Sequence, residues 1–278
     1  KTINKLNESY SKEYTEAVDT VFRELEVHKV RLLNEDQLND EQKEFLTQFF
    51  YDKLNGSINP IWLNEIDDLS TLEDNRIYLA VEKAEDDKKK KKYAVVKVPD
   101  RVYGRWVKVP ANEGFDNIMY LDDVIRYCLP LVFLGFKEST YRAFSFKFTK
   151  DAEMEMDNDA DFGTMEKIAL GVNSRKKGEA VRVIYDQEMP KELQKKLRER
   201  LNTKELDASL AGGRYQNHKD LMSFPDCGHK ELKYEKWAPI MKPEFLSNES
   251  ILDQIREKDR FIHVPYHSFN GYIRVLRE

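Results

Sequence analysis

Two apolar periods divide this sequence and limit what it can fold into. Ile3, Leu6, Tyr10, Tyr14, Ala17, Val18, Val21, Phe22 and Leu25 recur at steps of three and four, which predicts one long amphipathic helix over residues 3–28. A second helix is predicted from Asn39-Asp40. Asn39 can cap it, and Gln42 stands three residues on, as a capping box requires. Phe45, Leu46, Phe49, Phe50 and Leu54 would form its inner face, and Asn55-Gly56 would end it. Asn59-Pro60 then forces extended or turn geometry.

Beyond residue 75 the pattern becomes one of strands. Ile77–Val81 and Tyr93–Val98 are β-rich runs flanking Glu85-Asp86-Asp87 and the lysines 88–92, which predicts a hairpin with a charged tip. Arg105–Val109 and Asn117–Tyr120 read as further strands, and Leu121-Asp122-Asp123 opens a helix through Cys128. Thr140–Thr149 alternates, with Tyr141, Ala143, Ser145 and Lys147 on one face and Arg142, Phe144, Phe146 and Phe148 on the other. Residues 151–161 are acidic and turn-like, and Met165–Val172 reads as helix. Ala180–Tyr185 is a strand, and Pro190 starts a helix to about Leu201. Gly212-Gly213 is a sharp turn, and Asn217 is expected to cap a short helix, His218–Phe224. Ser250–Lys258 and the run from Phe269 read as helices, with Phe261–Val264 strand-like between them. Strands arrive as neighbours and hairpins. The predicted class is therefore α+β: a long N-terminal helix, then a largely antiparallel sheet with flanking helices.

Composition excludes several function classes. The chain has 278 residues, with Lys+Arg 46 against Asp+Glu 51 and a net charge of -5, so it is not a general nucleic-acid binder. A polyanion would need a local basic channel. No run approaches the roughly 18 apolar residues of a membrane span. Two cysteines, Cys128 and Cys227, make no disulfide framework, which fits a reducing cytoplasm. The chain opens on Lys1 rather than Met and stops at Glu278 in an amphipathic run that no Gly, Asn or Pro closes, which predicts a piece of a longer protein.

Several clusters could carry chemistry. The lysine run 88–92 could grip phosphate, but a solvated hairpin tip explains it as well. Gly212-Gly213-Arg214-Tyr215 combines permissive glycines with a guanidinium fork, the parts of an anion site, although no Gly-Lys-Ser/Thr follows. Lys147, Lys150, Arg175, Lys176 and Lys177 could line a basic groove. The acidic run 151–161 lacks EF-hand spacing. Cys227-Gly228-His229 with His218 is one pair short of a zinc motif, and Pro265 breaks any helix that would align His263 with His267. No nucleophile elbow, His-Glu-x-x-His or Gly-x-Gly-x-x-Gly occurs, and no His is followed two places on by Lys. On residues alone no catalytic site and no metal site is assigned.

The chain nevertheless resembles the polyphosphate kinase 1 family. The matching stretches are Val124–Leu129 with Leu134-Gly135-Phe136, Phe146–Asp157 (FKFTKDAEMEMD) and Val181–Pro190 (VRVIYDQEMP). They continue in family order with Gly212–Pro225 (GGRYQNHKDLMSFP) and Ile255–Phe269 (IREKDRFIHVPYHSF). The resemblance implies that residues 1–33 are the last helix of an N-terminal domain. It implies that 34–246 are the head domain and that 247–278 open a first phospholipase-D-like C-terminal domain. The parent would use Mg2+ and ATP to extend polyphosphate reversibly through a phosphohistidine, as a cytoplasmic homodimer joined through the head. The family's phosphorylated histidine, in a Lys-x-His-Ala-Lys stretch, and its adenine-contacting asparagine have no match here. The piece is therefore expected to be inactive alone, to serve dimerisation and scaffolding, and to hold no cofactor tightly. Arg214, Lys219, Lys147 and Lys150 are the expected polyphosphate contacts, unless Arg214 instead ties the glycine turn to the acidic 151–161 stretch. The rival readings are a self-standing, non-catalytic dimerising module and a module for polyanions or phosphoinositides.

Overall fold

The computed structural model describes residues 2–69, 71–85, 88–133, 139–150, 180–203 and 208–278. It forms two compact units, Lys1–Cys227 and Gly228–Glu278. The expectations for the acidic run 151–161, for Arg175, Lys176 and Lys177, and for a helix at Met165–Val172 lie outside the described residues.

The first unit begins with α1, Thr2–Val27, as the period of three and four requires. Strand β1, Val30–Leu33, follows, and then α2, Asp40–Phe49. The capping box is present in full. Gln42 N donates to Asn39 Oδ1 (2.8 Å) and Asn39 N donates to Gln42 Oε1 (3.1 Å). The buried Gln42 amide also donates to Pro110 O (3.0 Å), so the cap ties the helix to the sheet beside it. The helix runs on as a π-helical turn, Phe50–Leu54, closed by Asn55 N donating to Phe50 O (2.9 Å). The inner face is narrower than expected: Leu46, Phe50 and Leu54, four apart, are buried, whereas Phe45, next to Leu46 on the helix, faces outward at 36% exposure.

The strands form two sheets. The larger has the order β2-β4-β3-β7-β8-β9, with β2 Ile61–Trp62, β3 Tyr78–Glu85, β4 Lys88–Lys97, β7 Ser139–Lys150, β8 Ala180–Asp186 and β9 Ala208–Gly212. All its pairings are antiparallel except β8 with β9. β3 and β4 form the expected hairpin, but the lysine run is not confined to its tip. It is the first half of β4, with Lys92 opposite Lys83 and Lys91 opposite Ala84. Lys91 pairs with the buried carboxylate of Glu82 at 3.1 Å. The smaller sheet, order β1-β6-β5, contains β5 Trp106–Asn112 and β6 Phe115–Tyr120. A one-turn helix, α3 (Asp100–Tyr103), precedes β5. Gly104, with φ +75, turns the chain from one to the other.

Period-two alternation gives the larger sheet two cores. On one face Ile77, Leu79, Val81, Ala94 and Val96 pack with Leu46, Phe50 and Leu54 and with α4, Leu121–Val132. On the other, Tyr78, Ala80, Phe144, Phe146 and Phe148 pack against Leu193, Leu197 and Leu201, around α5, Lys191–Arg200.

Two further local expectations are corrected. Asn217 does not cap a helix. It sits in the left-handed region (φ 60) with no side-chain cap, and the segment after it is a 3-10 turn, His218–Ser223. Phe261–Val264 forms no strand, since its only nearby ladder contact is an isolated bridge from Ile240 to His267. In the second unit α6, Ile251–Glu257, is capped by Ser250, whose Oγ accepts from Asp253 N. In α7, Asn270–Arg277, Arg274 donates to the carbonyls of Phe245, Ser247 and Glu249. Gly271 has no room for a methyl group, because a Cβ there would lie 3.1 Å from Phe245 and Ile262.

Leu46 is fully buried between α2 and α4. Leu46→Ala is expected to lower the unfolding free energy of the first unit by about 2–5 kcal/mol. Denaturant unfolding followed by tryptophan fluorescence checks this. A loss under half of that range would mean the site collapses around the cavity.

Candidate anion cleft and the buried charges behind it

The N-terminus of α4 presents two consecutive carboxylates, Asp122 and Asp123, and both are fully buried. The unpaired N–H groups of the first helical turn favour negative charge there. Burial of such groups also demands partners. Asp122 receives a bidentate fork from Arg105: Nε to Oδ1 at 2.9 Å and Nη2 to Oδ2 at 2.7 Å. The remaining Arg105 nitrogen, Nη1, donates to Gln216 O (3.1 Å) and to Asp220 Oδ2 (2.9 Å). Asp123 accepts from Arg126 (2.6 Å), from Tyr215 Oη (2.6 Å) and from Arg214 Nη2 (2.8 Å). Arg214 Nη2 also donates to Glu35.

These contacts set the protonation of the network. Burial opposes the Arg214 charge, but Asp123 and Glu35 outweigh it and hold its pKa above the ordinary value. Glu35 is pushed up, first by burial and then by Asp123, against the pull of Arg214. Burial and the neighbouring Asp123 charge also raise the Tyr215 phenol.

In front of this network lies a cleft of about 420 Å3. One wall is α1, with Tyr10, Ser11 and Tyr14. The floor is the β8–β9 edge at Ile184, Leu210 and Gly212, and the rim carries Lys147, Arg182 and Lys219. Lys147 Nζ donates to the neutral Asn217 Oδ1 (2.8 Å). Its pKa is lowered by burial and then by the nearby charges of Lys219 and Arg182. Three cations therefore share one field. The His218 ring lies 4.7 Å from that of Tyr14. Its pKa is lowered by burial, Arg105 and Lys147, against Asp220. Gly212 is required for space rather than torsion: a Cβ there would lie 3.0 Å from Ile184 Cγ2 and 3.2 Å from Gln216 Nε2.

The expected anion contacts do not all converge. Lys147 and Lys219 line the cleft. Arg214 belongs to the same loop, but its guanidinium is directed at Glu35 and Asp123. Lys150 lies beyond a bulge at Thr149/Lys150, where Asp74 and Asp68 face it, and burial lowers its pKa. Sequence reasoning missed Arg182. Its signal was the alternation of β8, which puts Arg182 and Ile184 on one face, with Ile184 opposite Lys147. A wider cleft of about 570 Å3, between Phe45, Phe49, Val102 and Trp106, also carries Lys53 and Lys108. Lys108 there is engaged with Asp226 O (3.1 Å) and Lys53 lies over the Phe49 ring.

The histidines and cysteines form no comparable centre. Among the described residues no group of three or more His, Cys, Asp or Glu is arranged to hold a metal. Cys128 is buried, its thiol pushed up to about 12 by burial, which makes it unreactive. His263 N donates to His267 Nδ1 (3.0 Å), a local turn contact.

The polyphosphate kinase middle domain family model matches residues 41–224. A polyphosphate kinase of Vibrio parahaemolyticus is 33% identical over 278 residues, covering 99% of this chain and 39% of that protein. That of Escherichia coli K12 is 33% identical over 262 residues, covering 92% of this chain and 38% of that protein. The crystal structure of polyphosphate kinase from Porphyromonas gingivalis superposes with a TM-score of 0.73 at 24% identity, over 99% of this chain and 39% of that one. The chain thus spans about two fifths of the length of these relatives, with the cleft inside the matched region. On that match the chain belongs to the polyphosphate kinase family.

Proposed function

We propose that this chain is the head-domain portion of a polyphosphate kinase and that its cleft guides the polyphosphate chain. The observation that carries the reading is the convergence of Lys147, Arg182 and Lys219 beside the close-packed Gly212 turn. Polyphosphate is a flexible line of negative charges without aromatic or apolar groups. A ligand of that kind is held by lysines and arginines that keep free N–H donors, and it releases counterions on binding. The α1 hydroxyls on the facing wall offer neutral donors that let the chain slide.

In the parent protein, the γ-phosphate of Mg-ATP would pass to a histidine, releasing ADP, and then to the end of polyphosphate; the reverse makes ATP. Magnesium would neutralise phosphate charge, and the covalent step divides one displacement into two. The residues described here supply guidance and scaffold rather than the phosphorylated histidine. The division we propose is 1–33 for the end of an N-terminal helical domain, 34–246 for the head and 247–278 for the start of the next domain. Dimerisation through the head and a cytoplasmic setting complete the reading. No helix among the described residues is long and apolar enough to cross a membrane.

Three measurements test this. The 278-residue chain, given Mg-ATP or long polyphosphate, is expected to show no polyphosphate synthesis and no ADP phosphorylation, while a full-length relative does. Turnover that survives repurification overturns the scaffold reading. Replacing Lys147 and Lys219 together by Gln is expected to weaken polyphosphate binding roughly tenfold at low salt, and to lower the slope of log affinity against log salt by about 0.7 per lost contact. An unchanged affinity and slope would sink the cleft as the binding site.

The third measurement uses pH. His218 has a lowered pKa, so it is neutral at pH 7 and gains charge as pH falls below its usual range. Tyr14, Arg105, Lys147 and Asp220 are the titratable or charged groups around it. Polyphosphate binding is therefore expected to tighten as the pH falls below the ordinary histidine range near 6.5, and His218→Gln to flatten that rise. Equal pH slopes in both proteins would remove His218 from the cleft's electrostatics.

A further inference from the structure

Arg105 lies outside the cleft, yet it reaches the loop that carries the cleft's residues. The loop 212–219 supplies the glycine turn, Asn217, His218 and Lys219 to the site. It has little regular structure of its own: Asn217 is left-handed and the 3-10 turn after it is short. Its shape must come from contacts with something rigid. Toward its Asp220 end those contacts come from Arg105, just before β5, and Trp106, its first residue. Arg105 Nη1 donates to Gln216 O and Asp220 Oδ2, while Trp106 Nε1 donates to Asp220 O (2.9 Å). The Trp106 ring also packs edge-on against Phe224, centroids 4.9 Å apart. Behind the loop Arg105 is locked to Asp122 at the start of α4, at 2% and 0% side-chain exposure.

We propose that the Arg105–Asp220 contact is the positioning device of the cleft, setting Asn217 and Lys219 in register with Lys147 and Arg182. This rests on the reading that the cleft binds polyphosphate. Asn217 Oδ1 holds Lys147 Nζ in place, so a shift of the loop would move both a rim cation and the group that orients another. Ser145 Oγ donates to Arg214 O and pins the near end of the loop. The far end depends on Arg105 and Trp106.

Two effects of Asp220 on a bound polyanion have opposite signs. Its negative charge lies close enough to Lys147 and His218 to oppose the lowering of their pKa values, so removing it raises the local positive potential and favours an anion. Its hydrogen bond to Arg105 holds the loop, so removing it disorders the rim. Asp220→Ala separates these effects by sign while leaving the buried Arg105–Asp122 fork intact. Positioning predicts polyphosphate binding about tenfold weaker than in the unsubstituted chain, the lower end of one lost charged hydrogen bond. Charge alone predicts tighter binding.

The test measures polyphosphate affinity and salt slope for Asp220→Ala, for Arg105→Lys and for Leu46→Ala, each well below its unfolding temperature. Leu46→Ala destabilises the fold away from the cleft and is expected to bind like the parent chain. Weaker binding by Asp220→Ala and Arg105→Lys, with Leu46→Ala unchanged, supports positioning. Unchanged or tighter binding by Asp220→Ala overturns it, whatever Arg105→Lys does. If the double substitution of Lys147 and Lys219 has no effect either, the cleft itself is wrong. If that substitution weakens binding but Asp220→Ala does not, only the positioning role fails.

Discussion

The first unit depends on two carboxylates buried at one helix end. Asp122 and Asp123 are shielded from water, and an unpaired charge in such a place costs several kcal/mol. The fold answers with two arginine systems rather than one. Arg105 takes Asp122 and extends to Gln216 and Asp220. Arg126 and Arg214 take Asp123 together with the Tyr215 phenol. Each arginine carries more donors than its carboxylate needs, and the surplus reaches other elements: Ala143 O on β7 from Arg126, Glu35 from Arg214. The helix end thereby becomes a junction between the smaller sheet, the larger sheet and the loop 214–224. Replacing these pairs by apolar groups could keep stability, but it would lose the directional contacts that hold an irregular loop in one shape.

Local chemistry was legible in the sequence wherever a periodic pattern or a cap determined it. The stripe from Ile3 to Leu25, the Asn39–Gln42 box, the alternation of Thr140–Thr149 and the Ser250 cap all correspond to elements of the structure. What could not be read was long-range pairing. Arg105 and Asp220 are 115 positions apart, and both look like ordinary surface charges in the sequence. Phe45 faces outward because the buried stripe is the single i, i+4 row Leu46, Phe50 and Leu54, and an apolar residue beside that row need not be covered. Asn favours caps, and on that ground the sequence predicts one at Asn217. It also tolerates the left-handed region, and here that second property decides.

The candidate site was legible in part for the same reason. Lys147 and Lys219 stand near the glycine turn in the structure as their motifs suggested. Lys150 is only three residues from Lys147, but a bulge and two aspartates give it a different environment. Arg182 belongs with Lys147 only through strand register, which no short motif encodes.

A division between the two kinds of cation follows from these placements. Arg105, Arg126 and Arg214, with planar forks suited to carboxylates, are occupied by Asp122, Asp123, Asp220 and Glu35. Lys147 is instead held by an amide, which orients the ammonium without neutralising it. Had an aspartate stood at position 217, the same distance would give an ion pair, and one of the three cations at the cleft would be neutralised. The neutral residue at that point and the carboxylates behind the loop are therefore parts of one arrangement. Most of the carboxylates that hold the loop pair with arginines rather than with Lys147, Arg182 or Lys219. In this way a chain with net charge -5 gathers three cations around one cleft.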